Sequence, residues 1–154
     1  NPGMQSTLTR LQEVARTLKM KLHIFNARDG NEIEQGFAAM SQGRMNALYV
    51  NLDPLFFEHR LRIAEFAATK RLPALYDVRD FVQAGGLLSY GPNFADLAGR
   101  VAAIVDKIIK GAKPAELPVE QPTRFELVIN LKSAKTLGLA VPQLILLRAN
   151  DVIQ

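Results

Sequence analysis

At 154 residues the chain has room for one domain with a sizeable core, and a composition of 48% apolar and 22% charged residues excludes an intrinsically disordered segment. The formal charge of +4 is spread along the sequence. The nearest thing to a basic cluster, Lys107, Lys110 and Lys113, falls at a predicted helix end where cations suit the dipole, so no nucleic-acid partner is expected. Cysteine is absent, which excludes disulfides and thiolate metal sites. No stretch reaches the roughly 18 apolar residues that span a bilayer, because the richest run, Leu137–Leu147, is broken by Pro142 and Gln143. No basic start followed by an apolar core reads as a signal peptide, so an export signal, if the protein uses one, was removed or lies outside these residues.

The first segment, Met4–Lys19, places Met4, Leu8, Leu11, Val14, Ala15 and Leu18 on one helical face, with Asn1-Pro2 suited to a helix start. Lys21–Asn26 reads as a short strand in which Leu22 and Ile24 alternate with polar neighbours. Asp29-Gly30-Asn31 is a turn, and Asn31 with Glu34 resembles a capping box for a helix running to Ser41. Gly43 is the expected stop of that helix. Ala47–Leu52 is a short, continuous apolar strand of the buried parallel kind.

The alternation then repeats. Asp53-Pro54 opens a helix through Arg71, with Phe57, Leu61, Ala64 and Ala68 on its inner face. Leu72–Tyr76 is a strand, Val78–Gln83 a helical turn, and Leu87–Tyr90 another strand. Asn93 caps a strong helix whose Leu97, Val101, Ile104, Val105 and Ile108 form an apolar stripe ending at Gly111. Strands alternating with helices predict an α/β fold, a Rossmann-like parallel sheet with helices on both faces.

At Lys113 the texture changes. Pro114, Pro118 and Pro122 punctuate an extended linker through Thr123. Beyond it Phe125–Asn130 is a strand, Leu131–Leu139 a short helix and Val141–Leu147 a last apolar element. The pattern also opens with a helix that no strand precedes, whereas a doubly wound fold leads with its central strand. The expectation is a chain that starts just after that strand. A vacant strand slot together with a tethered apolar tail predicts self-association of such a chain.

Catalytic constellations are not found. His23 and His59 have no second ligand at metal-binding spacing, and Ser6, Ser41, Ser89 and Ser133 lie in no nucleophile elbow. Gly85-Gly86 precedes a strand instead of cradling a phosphate between strand and helix. The acids Asp53, Asp77 and Asp80 lack the grouping and the late lysine of a receiver pocket. No catalytic residue, cofactor or metal is therefore expected. Polar and aromatic groups do gather at the carboxyl ends of predicted strands, where open α/β sheets bind ligands: Asn51, Asp53 and Pro54, then Tyr76, Asp77 and Arg79, then Tyr90, Gly91 and Asn93. Each has a plain structural explanation, with Asp53 and Asn93 as helix caps and Tyr90-Gly91-Pro92 as a turn. Their recurrence at successive strand ends points to a site.

The stretches Arg71-Leu-Pro-Ala-Leu-Tyr-Asp-Val-Arg79 and Ala84-Gly-Gly-Leu-Leu-Ser-Tyr-Gly-Pro-Asn93 resemble the ABC transporter substrate-binding family related to tryptophan and tyrosine uptake. So do Lys107-Ile-Ile-Lys-Gly-Ala-Lys-Pro-Ala-Glu-Leu-Pro-Val-Glu-Gln-Pro122, Phe125-Glu-Leu-Val-Ile-Asn-Leu-Lys132 and Lys135-Thr-Leu-Gly-Leu139. The resemblance implies one lobe of a two-lobed, type I periplasmic-binding-protein fold. In it, residues 1–113 form the second ligand-binding lobe, residues 114–124 are the hinge, and residues 125–154 return to an absent first lobe. It implies a non-enzymatic, extracytoplasmic protein, on the periplasmic or extracellular face of the cytoplasmic membrane. Such a protein closes on an amino-acid-like or small aromatic solute and presents it to an ABC permease. The ligand-binding residues would be Asn51, Asp53, Tyr76, Arg79, Tyr90 and Gly91. Asp53 would pair with a ligand amine, Tyr76 or Tyr90 would form a wall, and Arg79 would meet a carboxylate or serve the lobe interface. A ligand-binding sensor module of a signalling receptor with the same fold is the alternative.

Overall fold

The computed structural model describes residues 2–154, with side chains from Ser6 onward. The roles read for Asn1 and for the Met4 side chain lie outside the described residues. The chain divides into two compact units, Asn1–Gly36 and Phe37–Gln154.

In the first unit, helix α1 covers Pro2–Thr17 and helix α2 begins at Gly30, running on to Gln42. Helix α1 closes through Leu18 N–H to the Val14 carbonyl at 2.9 Å and Met20 N–H to the Ala15 carbonyl at 2.8 Å. Lys19 adopts the left-handed conformation between them, with φ of 54°. The capping box of α2 lies upstream of the expected pair. The Asp29 carboxylate accepts Glu32 N–H at 2.9 Å, and the Glu32 carboxylate accepts Arg28 N–H at 2.8 Å. Lys21–Asn26 is not a strand. Alternation decides which side chains share a face, but a strand is made by a paired neighbour. Here Leu22 and Ile24 remain 41% and 42% exposed.

The second unit is built on a five-stranded sheet in the order β1-β2-β3-β4-β5. The strands are β1 (Leu48–Val50), β2 (Ala74–Tyr76), β3 (Leu88–Pro92), β4 (Phe125–Asn130) and β5 (Asp151–Ile153). All neighbours are parallel except β3 and β4, which run antiparallel with Leu88 opposite Ile129 and Pro92 opposite Phe125. Helices α3 (Pro54–Glu58), α4 (Arg60–Thr69), α5 (Arg79–Gln83), α6 (Phe94–Ile109), α7 (Leu131–Leu137) and α8 (Gln143–Leu146) fill the connections. The core gathers Val50, Leu72, Ala74, Tyr76, Val78, Leu87, Val128 and Ile129 around the sheet with Ile63, Ala64 and Ala67 of α4 and Phe81 and Val82 of α5. Phe37 stacks on Phe66 at 4.0 Å between ring centroids, and Tyr76 on Phe81 at 4.7 Å.

Several local expectations change in register. The helix expected from Asp53 to Arg71 breaks at His59 into α3 and α4. Its buried face is Ile63, Ala64 and Ala67, while Leu61, expected inside, is 66% exposed. The break resets the helical phase, so a periodicity counted across it places the wrong residues inward. Helix α2 is closed by Arg44 at φ 50° instead of by Gly43. Residues 125–154, expected to return to another lobe, instead complete this sheet, with Val128, Ile129 and Asn130 buried in β4.

The reverse holds for the stretch between β3 and β4. Helix α6 has the expected Asn93 cap, whose side-chain oxygen accepts Asp96 N–H at 2.8 Å, and Gly111 follows it at φ 102°. Yet no residue from 93 to 124 is buried, and Val101, Val105 and Ile109 are 58%, 47% and 79% exposed. The two ends of this excursion are tied together. Asn93 N–H donates to the Arg124 carbonyl at 3.0 Å, and Arg100 binds Asp96 at 2.8 Å, Glu120 at 3.4 Å and Thr123. No helix of the described residues is long and apolar enough to cross a membrane.

Gly91, in β3, is buried against the backbone of Asp77, and a Cβ built there would overlap the Asp77 carbonyl oxygen. Glycine is required because two backbones meet with no room for a side chain. Gly91→Ala should therefore destabilise the fold by about 3 kcal/mol, read as a lowered urea midpoint at unchanged slope.

Candidate functional site

The carboxyl ends of β1, β2 and β3 share one edge of the sheet because these strands are parallel. The antiparallel pairing of β4 brings its amino end to the same edge, and β5, parallel to β4, starts there as well. A cavity of about 370 Å³ opens at this edge, lined by Leu52 after β1, Val78, Arg79 and Asp80 after β2, Asn93, Phe94 and Ala95 after β3, Glu126 of β4, and Phe57 of α3. It lies where ligands bind in open α/β sheets, and it combines an apolar surface with convergent polar groups.

A polar network organises its floor. Arg79 places one guanidinium nitrogen 2.7 Å from the Asp151 carboxylate and another 3.4 Å from Oε2 of Glu126. The same Oε2 accepts from the Asn93 side-chain amide at 3.0 Å. The Glu126 side chain is only 10% exposed, so these bonds are made in a partly desolvated setting where charge-assisted contacts are strong. Nearby, Asp77 braces the β1 end: its carboxylate accepts the Tyr49 hydroxyl at 2.9 Å and Leu52 N–H at 2.8 Å. Burial, reinforced by the charge and hydrogen bond of Asp77, holds the Tyr49 phenol well above the usual tyrosine range. Burial raises Tyr76 in the same direction.

Of the strand-end residues singled out from sequence, Arg79 and Asn93 line the cavity, and the other expected ligand-binding residues take different places. Asp53 caps α3, accepting Leu55 N–H at 2.9 Å. Asn51 turns its side-chain amide to the Leu52 carbonyl at 3.3 Å. Tyr76 is fully buried on Phe81, with its hydroxyl unbonded among the described residues. Tyr90 is 56% exposed and stacks on Phe125. Gly91 serves the backbone contact with Asp77. Glu126 and Phe94 were not anticipated. Glu126 reaches the edge only because β4 is antiparallel, a direction the sequence does not announce. Among the described residues no group of acids and histidines is arranged to hold a metal.

Residues 1–153 match the protein family described as ABC transporter substrate binding protein, and the chain belongs to that family. Among solved structures, it resembles a conserved domain protein of Vibrio cholerae at 23% identity and a TM-score of 0.88, covering 99% of this chain and 52% of that one. It resembles equally, at 25% identity and a TM-score of 0.88, the ABC domain of a Streptococcus pneumoniae protein in complex with L-Trp, covering 97% of this chain and 50% of that one. A substrate-binding protein with adhesive properties from Clostridium difficile, in a ligand-free, open form, matches at 21% identity and a TM-score of 0.69, over 100% of this chain and 51% of that one. The chain thus spans about half the length of these relatives. No curated protein matches it.

Two measurements check the site geometry. Tyr49 and Tyr76 keep their protons in the folded chain at a pH where tyrosines of the unfolded chain lose them, about 10. The folded state then binds more protons, so stability should fall as pH rises past about 10, and Tyr49→Phe should flatten that decline in urea unfolding. Asp53→Asn conserves the cap, so it should change stability by less than about 0.5 kcal/mol, whereas Asp53→Ala should cost about 1 kcal/mol.

Proposed function

We propose that this protein is the extracytoplasmic solute-binding component of an ABC transporter. It captures an amino-acid-like or small aromatic solute between the sheet edge described above and a second lobe, and hands it to a membrane permease. The observation that carries this reading is the cavity at the shared strand edge, where Phe57, Phe94 and Leu52 supply apolar surface beside Arg79, Asp80, Asn93 and Glu126. The family and the L-Trp held by the pneumococcal neighbour favour a solute of that size and kind.

The second lobe is supported by the excursion from 93 to 124. An amphipathic helix is stabilised by burying its apolar face, and each Val, Leu or Ile left in water forgoes about 1.5–3 kcal/mol. Helix α6 leaves that stripe uncovered, and solved relatives carry about as much chain again. In this reading α6 packs on the second lobe, and the chain crosses between lobes at Pro92–Asn93 and again at Arg124–Phe125. Those crossings are adjacent, joined by the β3–β4 pairing and by Asn93 N–H to the Arg124 carbonyl, an arrangement suited to hinge closure.

A solute enclosed by two lobes loses most of its contact area when one is missing. Calorimetry should therefore show a solute that binds the complete protein bound at least about tenfold more weakly by residues 1–154 alone. A thermal-shift screen of amino acids and aromatic acids identifies the solute, since saturation at about 100 times the dissociation constant stabilises by about 2.7 kcal/mol. Equal affinity of the two forms would overturn capture between lobes.

A further inference from the structure

We propose that Glu126 is the carboxylate that receives the positively charged group of the solute, with Arg79 and Asn93 as the positioning residues that aim it. The assignment rests on the solute-binding reading and goes beyond it by naming the contact.

The acids near this edge differ in what already occupies them. Asp77 has both oxygens occupied, by the Tyr49 hydroxyl and Leu52 N–H, while Asp53 is held through Oδ1 by its helix cap, and neither residue lines the cavity. Asp151 holds the Arg79 guanidinium at 2.7 Å. Glu126 differs from these in being both nearly buried and part of the cavity lining. Both of its contacts, from Arg79 at 3.4 Å and from Asn93 at 3.0 Å, converge on Oε2. Oε1 has no partner among the described residues, while the side chain is 10% exposed and lines the cavity. A desolvated carboxylate fixed through one oxygen presents the other as a rigid acceptor, and a charge placed against it is screened far less than at the surface.

Arg79 is unsuited to the opposite role. To take an anionic group from the solute its guanidinium would have to give up carboxylates it already bridges, across α5, β4 and β5. The charged groups lining the cavity are Arg79 against Asp80 and Glu126, and Arg79 is further paired with Asp151 behind them, which leaves a surplus of negative charge. The site therefore favours a cation. Phe57, Phe94, Leu52 and Val78 line the same cavity and suit an apolar body attached to that cation. Asp80, half-exposed in the first turn of α5, adds long-range attraction without a fixed geometry.

The experiment compares three probes that share one ring system and differ in the head group: tryptamine, L-tryptophan and indole-3-propionate. Each is titrated calorimetrically into the complete protein and its Glu126→Gln variant, with folding checked by circular dichroism. The expected result is that the wild type binds tryptamine and L-tryptophan more tightly than indole-3-propionate. Glu126→Gln should weaken both cationic probes by at least about tenfold and leave the anionic one within about twofold. Should Glu126→Gln not fold, Glu126→Asp serves instead, since it keeps a charge for Arg79 while withdrawing the free oxygen, and it should still lower tryptamine affinity selectively. Unchanged tryptamine binding in the variant, or a wild type that prefers indole-3-propionate, overturns the assignment. If only uncharged or anionic solutes raise the melting temperature in a wider screen, the Glu126 assignment fails while solute capture stands. If no solute does, solute capture itself fails, and the assignment with it.

Discussion

Strand β4 meets β3 head to tail, with Leu88 opposite Ile129 at one end and Pro92 opposite Phe125 at the other. Most of what matters in the second unit depends on that antiparallel contact. It seats Val128 and Ile129 in the core, offers β5 a parallel neighbour, and carries Glu126 to the edge where the parallel strands end. It also fixes the two ends of the long excursion beside each other, so that α6 leaves and re-enters the sheet through adjacent strands. Without it the cavity would lose a wall and the Arg79 network its acceptors.

The network itself shows how several structural demands share residues. Arg79 bridges carboxylates on β4 and β5 and so fastens α5 to the far side of the sheet. Asn93 caps α6 with its oxygen and donates to Glu126 with its nitrogen, spending both ends of one amide. Asp77 ties the β1 end to the β2 end while its carbonyl presses on Gly91 of β3. A site built on helix starts and strand ends that are already cross-braced holds its groups in place before a ligand arrives, which lowers the entropic cost of binding. The fully buried Tyr76 and Ser89 face each other across β2 and β3 with hydroxyls unbonded among the described residues, so that part of the core is polar without a partner and tolerates little change.

Helix α6 obeys a different logic. Its cap, its stripe and its glycine stop are all as the sequence dictates, yet no residue of its apolar face is buried. Propensity and capping suffice to define where a helix begins and ends, but not what it packs on. On the two-lobe reading proposed above, the uncovered face and the cavity belong together, because the same crossing positions both.

The sequence alone determined the class of fold, the family, the helix caps at Asp53 and Asn93, and the sheet edge at which the cavity opens. Those features are local: a capping side chain answers to backbone groups two or three residues away, and strand–helix alternation is written in periodicity. It put Arg79 at that edge for the same reason, since the residue directly follows a strand. What only the tertiary structure decided is which side chains face the cavity. Tyr76 and Asp53 sit at the predicted edge, but one points into the core and the other is spent on its helix. Glu126 lies far along the chain and arrives through a strand whose direction and neighbour are set by pairing. Lys21–Asn26 carries a strand's alternation and forms none, while the short β5, unannounced by any pattern, is made by its contact with β4. Strand pairing is a non-local interaction, and no window of sequence contains both partners.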